Sequence, residues 1–263
     1  MKRTFVGITR GAILLSSVLL LAACGGGGGG GDGGHNVTNA AVGGLWVGTA
    51  TISGETYDVV GIVAENGRGY FLQEDVVYWG TAKSSGTRIT SALTGAGLLG
   101  WTFLDGSASG TGSISGTVQA RKSIIADSSF TTALGTKTTG TVSLQYDPMY
   151  DDDSSLALVA GNYADGFWLM EGVFNIASNG DLFYQDVHGC VINGTVAVIN
   201  PAYNVYDIQY TYSNCATEFP MFDGMTFRGL ATYAADFEEF IVIADGLWAG
   251  TTPSGQVFLL ERQ

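Results

Sequence analysis

The chain has 263 residues, of which 24 are acidic and 11 basic, giving a formal net charge of −13, with 46% hydrophobic and only 13% charged residues. A surface of that sign repels phosphate backbones and excludes nucleic acid as a partner, while the apolar share is ample for a sizeable core. Glycine is abundant (40) and proline scarce (4), Thr, Val, Tyr and Phe recur, and no sustained helical period occurs, so helical bundles are excluded and strands joined by tight turns are expected.

The chain opens with Met1-Lys2-Arg3 and Arg10, followed by an apolar run over 11–22. That run is shorter than the roughly 20 residues a permanent membrane helix needs, which predicts a removable secretory signal over residues 1–23. Small side chains at Ala22 and Ala23 precede a thiol at Cys24. The tetrapeptide Leu21-Ala22-Ala23-Cys24 resembles a bacterial lipobox. The resemblance implies that Cys24 becomes the N-terminus and carries acyl chains such as palmitate. Gly25 rather than Asp follows it, which in lipoprotein sorting implies the cell outer membrane. The membrane would then be a partner through the lipid anchor, and two or more acyl chains make such anchorage stable. The mature chain would carry 24 acids against 8 bases, or −16.

Residues 24–38 contain Gly25 to Gly31 and then Asp32-Gly33-Gly34. Glycine has no side chain to bury and the most backbone freedom to lose, so this stretch reads as a tether of about 15 residues, with a root-mean-square span on the order of 20 Å. No Lys-Ser/Thr follows, so it is not a phosphate loop.

The first β domain is placed at 39–147. A helical turn at 39–42 leads into apolar, β-prone segments at 45–52, 57–64, 69–73, 76–82, 88–93, 98–104, 112–120 and 140–146, with Asn66-Gly67 suiting a two-residue hairpin turn. Eight short strands of this kind form an antiparallel meander, closed as a barrel or paired as a sandwich. Asp147-Pro148, followed by Asp151-Asp152-Asp153, marks an Asp-rich linker at 148–155. Three consecutive aspartates cannot all point inward and lack the alternating spacing of a calcium loop.

The second β domain, 156–263, repeats the first. Gly161-Asn162-Tyr163 echoes Gly44-Leu45-Trp46, Asn179-Gly180 echoes Asn66-Gly67, Asn193-Gly194-Thr195 echoes Trp79-Gly80-Thr81, and 254–261 echoes 139–146, at offsets of 117, 113, 114 and 115 residues. Four matches in order argue for a tandem duplication. The fold class is therefore all-β, with two similar antiparallel meander domains of about eight strands. From residue 148 onward 15 acids face only Arg228 and Arg262, or −13, so the second domain concentrates the negative charge.

Cys190 and Cys215 remain after Cys24 is assigned to lipid. They flank a predicted hairpin of 191–199 and 203–212 at its open end, 25 residues apart, which predicts a disulfide in an oxidising compartment. Catalytic patterns are thin. Gly95-Ala96-Gly97-Leu98-Leu99-Gly100 matches GxGxxG, but a strand rather than a helix is predicted after it, so it reads as a glycine-rich turn. His35 falls in the tether, and His188 has no serine or free thiol partner in the sequence pattern. Adjacent acids such as Glu74-Asp75 and Glu238-Glu239 point to opposite strand faces. No enzyme, cofactor or metal site is expected. The tryptophans Trp46, Trp79, Trp101, Trp168 and Trp248 suit either a core or a ligand-lined barrel.

Gly44-Leu45-Trp46, with its lead and the meander after it, resembles the GxW opening of calycin-type barrels, of which lipocalins and avidins are examples, and Leu99-Gly100-Trp101-Thr102-Phe103 is similar to an avidin strand. In the second repeat Gly161 is kept and Tyr163 replaces the tryptophan. Lipobox, glycine tether and paired β domains together resemble the surface lipoproteins of Gram-negative bacteria, including those of the neisserial type. That resemblance implies a membrane-anchored, non-catalytic binding or interaction module of the cell envelope, with a basic protein as the partner suited to its acidic half. The calycin likeness implies instead a carrier of a small apolar ligand, in the first barrel. A structural lipoprotein without ligand is a third reading. A transmembrane barrel is disfavoured by polar strands such as 87–94 and by the anchor, which would be redundant.

Overall fold

The computed structural model describes residues 41–98, 101–166, 172–215, 222–248 and 250–263. Residues 1–23, in which a signal is expected, Cys24, the glycine-rich stretch, His35 and Trp168 lie outside these residues. Among the described residues sixteen strands form two closed antiparallel barrels in simple meander order. The first consists of β1 (Gly44–Ile52), β2 (Glu55–Val63), β3 (Arg68–Gln73), β4 (Val76–Ser85), β5 (Arg88–Gly97), β6 (Ser109–Gln119), β7 (Ser123–Thr132) and β8 (Lys137–Asp147), closed by β8 pairing with β1. The second consists of β9 (Gly161–Asp165), β10 (Gly172–Ile176), β11 (Asp181–Asp186), β12 (Val191–Val198), β13 (Tyr206–Ser213), β14 (Thr226–Ala234), β15 (Glu239–Trp248) and β16 (Thr252–Arg262), closed by β16 pairing with β9. Closure leaves no free sheet edge in either unit.

The duplication holds at the level of single hydrogen bonds. Trp46 Nε1 donates to Val42 O at 3.2 Å, and Tyr163 OH donates to Val159 O at 2.8 Å, each four residues back. Gly67 and Gly180 both turn with positive φ (84° and 90°), and their carbonyls accept from Ala82 N and Val196 N at 2.8 and 2.7 Å. A side chain at either glycine would also drive its Cβ to within 2.2 or 2.3 Å of the facing carbonyl, so only glycine fits. The last strands, however, align one residue away from the sequence match. Trp46 pairs with Tyr146 and Tyr163 with Arg262, an offset of 116, and the inward residues Val142, Leu144 and Tyr146 correspond to Phe258, Leu260 and Arg262. An offset of 115 would turn every side chain of β16 to the other face.

Two segments differ from expectation. Among the described residues of 98–104 there is no strand: Leu98 makes one parallel bridge to Gly255, and 101–108 are irregular with a turn at 104–105. The strand predicted there is supplied instead by β7, whose Ser-Ile-Ile-Ala-Asp-Ser-Ser-Phe-Thr-Thr reads as polar because Ser, Asp and Thr fill most of its positions around inward Ile124, Ala126 and Phe130. Ahead of β1, residues 41–43 are not helical, whereas the second barrel does carry a short lead helix, α1 (Leu156–Val159), capped by Ser155 Oγ accepting from Leu158 N.

The barrels are joined by a shared apolar layer. Outward residues of barrel 1 (Leu45, Ile62, Tyr70, Leu72 and Val77) pack with Val205, Leu230, Ile243 and Val257 of barrel 2. Tyr70 OH donates to Asp245 Oδ1 at 2.7 Å, and Arg68 pairs with Asp207 across the same seam. A Cβ at Gly255 would lie 2.7 Å from Val77 Cβ, so the two sheets touch backbone to side chain there. The connecting segment is pinned to both barrels. Tyr150, in a 3-10 turn (Pro148–Asp151), is buried, donates to Glu65 Oε1 at 3.0 Å and stacks on Tyr203, while its carbonyl accepts from Asn204 N at 2.9 Å.

The packing is head to tail. Barrel 1 uses the outer face of β2–β4, and barrel 2 uses that of β14–β16, the counterparts of β6–β8. The equivalent face of barrel 2 carries Asn175, Gln185 and Asn193, and that of barrel 1 carries Ser115, Thr141 and Ser143. Both unused faces are mixed, with these polar side chains lying beside exposed Val173 and Phe183 in barrel 2 and exposed Ile125 in barrel 1.

Candidate functional site

Strand alternation sends every second side chain into a barrel, and eight strands enclose a lumen just wide enough to be filled by side chains or to hold one small ligand. The two barrels use that space differently. In barrel 2 the inward positions of β9–β16 carry Tyr163, Phe174, Tyr184, Tyr206, Tyr210, Tyr212, Phe227, Phe240 and Phe258, none more than 3% exposed. Their rings stack directly: Phe174 on Tyr184 with centroids 4.4 Å apart, and Tyr210 on Phe227 at 5.4 Å. Polar atoms inside are paired with one another. Tyr210 OH donates to Gln256 Oε1 at 2.7 Å, and Gln256 Nε2 donates to Tyr212 OH. Burial pushes the Tyr210 and Tyr212 hydroxyls well above the ordinary phenol range, so both stay protonated. At the α1 end Arg262 stands 5.5 and 5.3 Å from the Tyr163 and Tyr233 ring centroids and donates to Tyr163 OH at 3.0 Å and Ala160 O at 3.2 Å. The second barrel is a packed core.

Barrel 1 has the same strand number and far less inside it. Its lower layer, where the chain enters, is filled by Trp46, Val63, Ile89, Val118, Ile124 and Leu144, all buried. Above that layer the inward positions fall largely to small residues: Gly48, Ala50, Gly80, Gly110, Gly112 and Gly140. At Gly80, as at its counterpart Gly194, a Cβ would meet a neighbouring strand's carbonyl at 2.1 or 2.3 Å, so the strands coil tightly there and no side chain can enter. The larger residues of this layer, Ile52, Phe71, Leu93 and Val142, point inward yet stay partly accessible to solvent. Inward Phe130 meets Tyr78 edge-on at 5.4 Å and is half-covered by Phe103 from the loop over 98–108, centroids 5.3 Å apart. Burial and nearby Tyr57 push the Tyr78 hydroxyl up to about 12, so it too stays protonated. The inward positions at the end of the barrel opposite Trp46, called the cup below, thus carry aliphatic and aromatic carbon with a few hydroxyls (Tyr78, Ser91, Ser128).

The other expected site residues fall elsewhere. Cys190 and Cys215 lie at disulfide distance, Cα atoms 4.2 Å apart, flanking the β12–β13 hairpin at its open end. His188 sits in the turn between β11 and β12, exposed, its backbone N–H donating to Asp186 Oδ1 at 2.9 Å. Asp151 accepts from Tyr146 OH at 2.7 Å and pairs with Arg121. Among the described residues no group of three or more His, Cys, Asp and Glu side chains is placed to hold a metal ion. Gly95 and Gly97 belong to β5 and no helix opens after them within 101–108, so the phosphate geometry of a dinucleotide loop is not formed there.

The sequence carried a signal for the cup. In β6 the inward positions read Gly110, Gly112, Ile114, Gly116, Val118, a two-residue glycine period on the face that should be bulkiest. No protein-family model matches the chain, and neither does any curated protein or solved structure.

Proposed function

We propose that the protein is a non-catalytic binding lipoprotein of the cell envelope, anchored through Cys24, whose first barrel holds a small apolar ligand. The observation that supports this reading is the contrast between two barrels of equal strand number, one packed with rings and the other lined by glycine and by accessible inward side chains. An unfilled apolar lumen costs a protein packing energy that a ligand would restore. The ligand class follows from the lining: a hydrocarbon or aromatic body with at most one or two hydrogen-bonding groups, and no charge. Native mass spectrometry of the protein purified from its own membrane tests this. The expected result is a non-covalent adduct beyond the acyl anchor, lost in a Ser128→Trp variant, where the indole would fill the cup from an inward position of β7. Absence of any adduct, with no binding of an apolar dye such as N-phenyl-1-naphthylamine, refutes it and leaves a purely structural lipoprotein.

A second reading rests on the outside of barrel 2. Phe237 is 60% exposed at the turn between β14 and β15, between Asp236 and Glu238, with Glu239 paired to Glu261 across the strands just below. The Glu239 carboxyl is raised by partial burial and by Glu261, which shows how closely these charges crowd. An aromatic in a carboxylate ring suits a basic protein, attracted at long range and gripped by the ring. Salt-sensitive capture of such a protein, abolished by Phe237→Ser with Glu238→Lys, supports this reading; capture unaffected by that pair refutes it.

A further inference from the structure

Three large apolar side chains crowd the rim of barrel 1 at the mouth of the cup. Leu104 is fully exposed (111%), Leu134 is 71% exposed and Trp101 is 63% exposed. They sit on the segment 101–108 and on the β7–β8 turn, which are tied to each other by hydrogen bonds. Leu134 N donates to Ser107 Oγ at 3.0 Å, Ala133 N donates to Ser109 O at 2.8 Å, and Thr132 Oγ1 donates to Asp105. Asp105 also accepts from Ser107 N at 2.9 Å, and these bonds, Thr132 first, hold its carboxyl well below the ordinary range. The loop's only charge is thus turned inward against hydroxyls, while its apolar residues are turned out. Keeping such residues on rigid, convex tips wastes burial unless something apolar receives them.

We infer that this rim docks on a lipid surface, with Trp101, Leu104 and Leu134 inserted at the headgroup–acyl boundary. A tryptophan with leucines on protruding tips is the composition of interfacial insertion, whereas a protein partner would be met by a groove or a flat face. The chain outside the described residues is long enough to allow it. Residues 24–41 can extend about 55–60 Å at most. A barrel of strands about ten residues long, tilted as usual, is on the order of 25 Å tall. An anchor at Cys24 can therefore lie in the same leaflet as the rim, although the chain enters barrel 1 at the opposite end. The charged side chains around the rim, Glu55, Glu74, Asp75, Asp105 and Lys137, are mostly acidic and give no attraction for headgroups, so docking depends on apolar insertion and responds weakly to salt. The inference rests on the rim alone and holds whether or not the cup carries a ligand.

The test uses residues 37–263, which form one compact unit, without the anchor. The protein is floated with extruded phosphatidylcholine–phosphatidylethanolamine vesicles at low and high salt. Wild-type protein is expected to float at both salt levels. Trp101→Ser/Leu104→Ser/Leu134→Ser should lower its vesicle partition by about a hundredfold or more, because three large apolar groups lose their burial. Ile125→Ser, equally exposed on the barrel wall at 59%, should float like the wild type. Far-UV circular dichroism and N-phenyl-1-naphthylamine binding, unchanged in the triple variant, separate rim docking from cup occupancy. Flotation that survives the triple variant, or no flotation of the wild type, overturns the inference. So does concentration-dependent self-association that the triple variant abolishes, since the rim would then bind a second copy.

Discussion

Leu230→Ala probes whether the two barrels fold as one body. Leu230 is 0% exposed, yet it points out of barrel 2, into the layer formed with Leu45, Ile62, Tyr70, Leu72 and Val77 of barrel 1. In an isolated second barrel it would lie on the surface, and its truncation would change stability by no more than about 0.5 kcal/mol. In the joined molecule it leaves a cavity between two rigid sheets, for which about 3 kcal/mol is the expected cost. For a cooperative unit of some 220 residues each kcal/mol lowers Tm by roughly 2–4 °C, so a drop of about 6–12 °C follows. Differential scanning calorimetry of residues 37–263 reads this directly. One endotherm is expected for the wild type and one, shifted down, for the variant. Val173→Ala, at an outward position 51% exposed, should leave Tm unchanged within about 2 °C. Two separate endotherms in the wild type, or a Leu230→Ala shift as small as that of Val173→Ala, would refute the shared core.

Replacing Cys190 and Cys215 together by Ala opens a loop of 25 residues and should cost about 3 kcal/mol on the chain-entropy account, read by urea denaturation as a lower midpoint with a raised m-value, because the unfolded chain opens further. Tyr163→Phe removes the bond to Val159 O and the one from Arg262, at about 1–3 kcal/mol, without changing the fold. Asp245 is held above the ordinary carboxyl range by burial at the seam, against the opposing pull of the Tyr70 hydroxyl, Arg68 and Arg228. A raised carboxyl binds its proton more tightly when folded, so its stability contribution is complete below the unfolded value near pH 4 and is lost as pH rises through the folded value. Asp245→Asn, which keeps an acceptor for Tyr70, should therefore stabilise at pH 7 and give no gain at pH 3.5; an equal gain at both pH values would contradict the assignment.

The all-β class, the strand number and the duplication were legible because they rest on local signals, turn glycines and alternating apolar residues, that repeat twice. The same local signals misplaced one strand. Residues 98–104 are apolar and glycine-flanked but are needed as a cover for Phe130 and a bridge to Gly255, whereas β7 sets its inward Ile124, Ala126 and Phe130 among Ser, Asp and Thr. The seam was not legible, because Leu45, Tyr70, Leu72 and Val77 in barrel 1 and Leu230, Ile243 and Val257 in barrel 2 read as ordinary strand residues, and only three-dimensional juxtaposition shows that they point away from their own lumens. The cup was half legible. The aromatic-rich β13 (Tyr206–Ser213) and the glycine-rich β6 (Ser109–Gln119) differ plainly in composition. Their opposition, one lumen packed with rings and its twin lined largely by small residues, needed the register to assign faces.

Xenon diffraction tests the central claim most directly, since a polarisable apolar atom enters unfilled apolar space and is refused by a packed core. Crystals of residues 37–263 pressurised with xenon should show bound atoms in barrel 1 above Trp46, beside Leu93 and Val142, and none within the ring-filled lumen of barrel 2. Xenon in barrel 2, or a first barrel whose inward side chains have closed over the space and take up none, would contradict the account.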